Sequence, residues 1–141
     1  DITSSIRNEE IAKAASKLSA LSDTRKSLID IQRNFMPSNN LVADGRDMGT
    51  VVFPEAELKI FLVASAEVRA KRRYLELQNR GQEVNMRDLI ADIEARDMMD
   101  KSRTLSPLIP AEESIIIDSS TMSLDEVLSF TKKLAKKELN K

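Results

Sequence analysis

Two aspartates and an arginine crowd around one glycine in LVADGRDMGTVVFP, residues 41–54, just after a short apolar run. Asp44, Arg46 and Asp47 thus offer carboxylate oxygens and a planar fork of N–H donors at neighbouring positions. A carboxylate at a strand tip can hold a hydrated magnesium ion, and a guanidinium beside it can hold a phosphate. That combination suits phosphoryl transfer, where positioning and charge neutralisation do most of the catalysis. Ligands of open α/β sheets also collect beyond the carboxyl ends of the strands. An Asx turn on the Asp-Gly pair accounts for the same residues, so pattern alone leaves both readings open.

Arg96, Asp100 and Arg103 follow one another at steps of four and three. On a helix they share a face, either as an anion clamp or as a solvated stripe of weak ion pairs. Arg69, Arg72 and Arg73, with Arg80 shortly after, form the densest arginine segment of the chain. Three cations in about one turn repel one another unless a polyanion or nearby acids answer them; the alternative is a snorkelling surface. Ser16 and Arg25 carry no signal by themselves, since a helical serine commonly bonds the preceding turn and a lone arginine is usually superficial.

Composition narrows the chemistry further. The 141 residues include no cysteine and no histidine, which excludes disulfides, thiolate or imidazole metal sites and Ser-His-Asp or Cys-His catalysis. With 22 basic and 23 acidic residues, bulk positive charge for nucleic acid is missing, so no nucleic-acid partner is expected and any anion site is local. No apolar run approaches the roughly 20 residues of a membrane span, and no signal peptide is seen, so the expectation is a cytoplasmic protein without a membrane partner.

The elements that must position these groups can be read from periodicity. SSIRNEEIAKAASKLSALSDTRKSLIDIQRNFM predicts helix in two pieces, capped by Ser5 or Asn8, broken near Ser22-Asp23 and stopped by PSNN. Its apolar positions Ile11, Ala14, Ala15, Leu18 and Leu21, then Leu28, Ile31 and Phe35, recur at helical spacing. LVADG, LKIFLVAS and SIIIDSS have the length and composition of buried parallel strands. Three further helices are expected: one entered through Ser65 and stopped at Gly81, one capped by Asn85 with Leu89, Ile90 and Ile93 as its stripe, and one with a Ser123/Glu126 capping box. SPLIP reads as an extended connector. Strands alternating with helices imply a parallel α/β sheet.

Taken together, ADGRDMGTVVFPEAELKIFLVAS, the arginine-rich helix, RDLIADIEARDMMDKSR, SPLIPAEESIIIDSS and NEEIAKAASKLSALSDTRKSLIDIQRNF closely resemble bacterial cytidylate kinases across essentially the whole chain. ADGRDMGTVVFP is highly specific to that family. The resemblance implies a P-loop kinase-like, three-layer α/β/α fold and transfer of the γ-phosphoryl group of ATP, as its Mg2+ complex, to CMP or dCMP. It implies that Ser16, Arg25 and Asp47 read the cytosine edge, that Arg46, Arg96 and Arg103 hold the monophosphate, and that Asp100 joins Arg96 at the ribose. Asp44 takes the place of the aspartate near the metal. Arg69, Arg72, Arg73 and Arg80 fall in the lid and its approach; Arg72 and Arg73 are the catalytic candidates and Arg69 and Arg80 the ATP-side ones, the division among the four being open.

The chain also departs from the family pattern. No G-x-x-x-x-G-K-[ST] occurs, and the three glycines are Gly45, Gly49 and Gly81. The resemblance therefore implies the C-terminal part of such a kinase, with the first two strands absent and catalysis incomplete. The expected organisation is a helical CMP-binding and core region over 1–40, core over 41–68 and 104–141, and lid with flanking helices over about 69–103. The complete enzyme is expected to be a monomer. A non-catalytic CMP-binding or protein-interaction fragment is the alternative.

Overall fold

The computed structural model describes residues 2, 6, 9–35 and 40–140. The Ser5 or Asn8 cap and the helix stop over 37–39 lie outside these residues. The opening helical pattern does divide, into α1 (Glu9–Leu18) and α2 (Ser22–Asn34). The break comes at 19–21, slightly earlier than expected, because Ser22 and Asp23 form the first turn of α2, where an acid suits the helix dipole.

A π-helical turn over Met48–Val52 precedes β1 (Ile60–Val63). Then come α3 (Ala66–Asn79), α4 (Met86–Ser102), β2 (Ile115–Asp118) and α5 (Leu124–Leu139). The local signals at helix ends are realised as bonds. Ser65 Oγ accepts from the Val68 amide at 3.3 Å, and Asn85 Oδ1 accepts from the Arg87 amide at 2.8 Å. Ser123 and Glu126 form the reciprocal capping box, with the Ser123 amide donating to Glu126 Oε2 at 2.8 Å. Gly81 ends α3 at φ +73, a left-handed conformation that costs glycine nothing, and the next amide, of Gln82, returns to the Leu77 carbonyl at 3.0 Å.

β1 and β2 pair in parallel, Ile60 opposite Ile115 through Val63 opposite Asp118, with α3 and α4 in the crossover between them. This is the α/β arrangement with a parallel sheet, reduced to two strands among the described residues. LVADG is a correction: residues 41–44 form no strand, and Val42 is 98% exposed. A strand is defined by its neighbour, and no described segment pairs with this one; apolar composition alone cannot supply ladder hydrogen bonds.

The apolar core lies between α3 and α4. Ala70, Leu77 and Leu89 are buried, with Tyr74, Val84, Met86, Ile90 and Ile93 packed around them, as the predicted stripe of α4 requires. The stripes of α1 and α2 behave differently: Ile11, Leu18, Leu21, Leu28, Ile31 and Phe35 are all exposed, Phe35 by 72%. The SPLIP connector is also less extended than expected. Ser106 adopts φ +50, and the Leu108 amide returns to the Asp100 carbonyl at 2.8 Å, closing the end of α4.

Candidate functional site

The end of α1 is where the site begins. A helix leaves its last carbonyls without intrahelical donors, and cations are favoured there. Arg103, at the end of α4, donates to the Ser16 carbonyl at 3.3 Å and to Ser16 Oγ at 3.1 Å. Arg25, in the first turns of α2, donates to the Ser19 carbonyl at 2.9 Å. Two predicted site arginines thereby dock three helices and hold Ser16, itself 9% exposed, beside them.

The same guanidinium groups also reach the two predicted aspartates. Arg25 pairs with Asp47 through its second nitrogen. Asp100 is fully buried; its Oδ2 accepts a hydrogen bond from Arg46, whereas its Oδ1 lies in an ion pair with Arg103 but has no hydrogen-bond donor among the described residues. A carboxylate removed from water in this way is tolerated only because two guanidinium groups answer it, and in return it fixes the direction of both forks. Asp44, Gly45, Arg46, Asp47, Arg25 and Arg103 line one hollow of about 260 Å³ against α2.

Burial and neighbouring cations both bear on its arginines, burial more. Burial, then the charges of Arg96 and Arg103, hold the Arg46 guanidinium below its ordinary range; Arg69 adds to this and Asp97 partly offsets it. Arg25 is lowered in the same direction, first by burial and then by Arg103. Arginine does not lose its proton in proteins, so these groups stay charged although burial and neighbouring cations disfavour that charge. Arg96 Nε is buried with no hydrogen-bond partner among the described residues, which leaves one donor of its fork unused.

The arginines of α3 have other engagements. Arg69 makes a two-point pair with Asp97, at 3.0 and 2.5 Å, and donates to the Ala64 carbonyl beyond β1 at 3.0 Å. Arg72 donates to the Ser119 carbonyl at 2.6 Å, beyond the end of β2, and to Ser119 Oγ at 3.3 Å. Arg73 and Arg80 both pair with Glu76, at 2.9 and 2.6 Å. None of these four lines the hollow, although Arg69 contributes to its charge.

A sequence model of the family described as cytidylate kinase matches residues 1–137. The chain belongs to the cytidylate kinase family. It is 50% identical to the cytidylate kinase of Pasteurella multocida over 129 residues, 92% of this chain and 57% of that protein. It is 50% identical to the cytidylate kinase of Aeromonas hydrophila over 139 residues, 99% of this chain and 60% of that protein. With that of Stutzerimonas stutzeri the identity is 53% over 128 residues, 91% of this chain and 56% of that protein. The chain therefore spans somewhat more than half the length of these relatives.

Two residues at the site were not legible beforehand. Asp97 had only its place beside Arg96 in an alternating run of charge, which a solvated helix face explains equally well. Arg33, an exposed residue in the last turn of α2, crosses to the π-helical turn and donates to the carbonyls of Val51 and Val52, each at 3.0 Å. Neither pairing has a sequence signal, because the partners are distant along the chain.

Proposed function

We propose that this chain forms the CMP side of a cytoplasmic cytidylate kinase, which moves the γ-phosphoryl group of ATP to CMP or dCMP and yields CDP or dCDP. The observation that carries the reading is the buried Arg96 Nε, without a hydrogen-bond partner among the described residues, near Arg46, whose guanidinium is bonded to the buried Asp100 that also forms an ion pair with Arg103. Oriented forks with surplus charge suit a phosphate monoester, whose oxygens accept two bonds at a time. Asp47 and Ser16 then face the base. A carboxylate accepts from the exocyclic amine of cytosine and meets an unfavourable acceptor in the corresponding carbonyl of uracil. Asp100 acts chiefly by aiming Arg46 and Arg103, with the ribose contact shared with Arg96.

Asp44 is exposed on the rim of the hollow, and among the described residues no three acidic groups gather as a metal cage. Magnesium commonly takes one or two carboxylates and completes its shell with water and phosphate oxygens, so this donor set fits an ion arriving with ATP. Such an ion would neutralise charge on the transferring group. Residues 69–103 would act as the lid and its flanks, with Arg69, Arg72, Arg73 and Arg80 exchanging some of their present partners for phosphate oxygens. No phosphate-loop motif occurs in the 141 residues, so we expect no CDP from this chain by itself.

Titration calorimetry with CMP, cytidine and UMP tests the proposal. CMP binds best, and Arg103→Ala weakens CMP by about a hundredfold and cytidine much less, since the phosphate contact is lost from CMP alone while the bonds to Ser16 are lost for both. Equal affinity for CMP and UMP, or equal loss for CMP and cytidine, contradicts it.

A further inference from the structure

The residue that reads the base must be held still, and Asp47 sits on a short irregular segment rather than inside a helix or strand. Its carboxylate is paired with Arg25 of α2. Its carbonyl accepts the amides of Val51 at 2.9 Å and Val52 at 3.2 Å, so the backbone of Asp47 moves with those two valines. The carbonyls of the same two valines are the ones that Arg33 holds. Arg25 and Arg33 stand eight residues apart on α2, about 12 Å along its axis. One helix therefore grips the 47–52 segment at both ends, by a side chain at one and by the backbone at the other.

We propose that Arg33 is a positioning residue for base recognition, acting through the π-helical turn to set the place and direction of the Asp47 carboxylate; this rests on the proposed reading of Asp47. The choice of arginine follows from geometry. Two adjacent carbonyls at equal distance match two nitrogens of one planar fork, which the single ammonium of lysine reproduces only in part. Position within the last turn of α2 would ordinarily direct such a cation to the carbonyls of its own helix. Here two bonds cross instead to another element.

A double-mutant cycle separates positioning from simple stabilisation. In the 141-residue chain, Arg33→Ala weakens CMP binding about tenfold and narrows the preference for CMP over UMP, as expected for losing bonds from a charged donor. Arg33→Lys recovers part of both. In an Asp47→Ala background, Arg33→Ala changes CMP affinity less than twofold, because the group it positions is gone. The amides of Val51 and Val52 exchange with solvent at least several-fold faster in Arg33→Ala. The same factor lost with and without Asp47, or unchanged exchange at both amides, overturns the inference. Should the wild-type chain bind no CMP, the proposed function fails, and the exchange rates decide the two-ended grip by themselves.

Discussion

The α3–α4 pair and the wall formed by α1, α2 and residues 44–47 are built by opposite means. The pair closes on Ala70, Leu77 and Leu89, residues that water rejects and that need no particular partner. The wall leaves the apolar positions of its helices exposed and is assembled through Arg25, Arg46, Arg103, Asp47 and Asp100. Burial of carbon sets proximity without direction. Charged forks set direction, and the site proposed for a planar base and a tetrahedral phosphate requires direction.

The largest effect is expected from Asp100→Ala. It leaves Arg46 and Arg103 without their shared carboxylate and lowers stability by about 3 kcal/mol, the low end for a broken buried pair because Arg46 remains partly solvated. CMP affinity falls with it, since both forks lose their aim. Next, Leu77→Ala removes a side chain only 4% exposed and costs about 2–3 kcal/mol of stability by urea denaturation. Under native conditions it leaves CMP affinity within about twofold, consistent with the additivity of separated sites. If Leu77→Ala erodes CMP binding as severely as Asp100→Ala, the division between the two regions is wrong.

The smallest effect concerns a third region, the start of α5. Hydrogen bonds from the Ser123 backbone, then from its side chain, hold the Glu126 carboxyl below its ordinary 4.5. A depressed acid stabilises the fold above its unfolded value and loses that contribution as pH falls through the folded one, so the cap weakens below about pH 4.5 and is intact at neutrality. An NMR titration of Glu126 checks this; in Ser123→Ala the carboxyl returns toward 4.5, and an unchanged titration contradicts the cap as its cause.

The helix ends of α3, α4 and α5 were legible because Ser65, Asn85 and Ser123 each bond within three residues. LVADG was misread for the converse reason: strand formation depends on a neighbour that composition does not name. The stripes of α1 and α2 were seen correctly as periodic, but periodicity states which face is apolar and not whether anything covers it. At the site, Asp44, Arg46 and Asp47 were noticeable through crowding, and Arg96, Asp100 and Arg103 through spacing. Spacing alone did not separate an anion clamp from a solvated stripe; burial of Asp100 and of Arg96 Nε now favours the former. Arg33 and Asp97 escaped because each is an ordinary surface charge until its partner arrives from another element.

The crowding around Arg46 has one more consequence. Arg25, Arg46, Arg69, Arg96 and Arg103 bring five positive charges against four negative ones, on Asp44, Asp47, Asp97 and Asp100, a surplus of one. That surplus has the sign that attracts a phosphate monoester, which carries roughly two negative charges near neutral pH. Like charges gathered in a partly shielded wall repel one another, and dissolved ions screen them over about 10 Å at 0.1 M ionic strength. Added electrolyte therefore screens both this repulsion and the ion pairs that assemble the wall, and it weakens the attraction expected for a nucleotide at the proposed site.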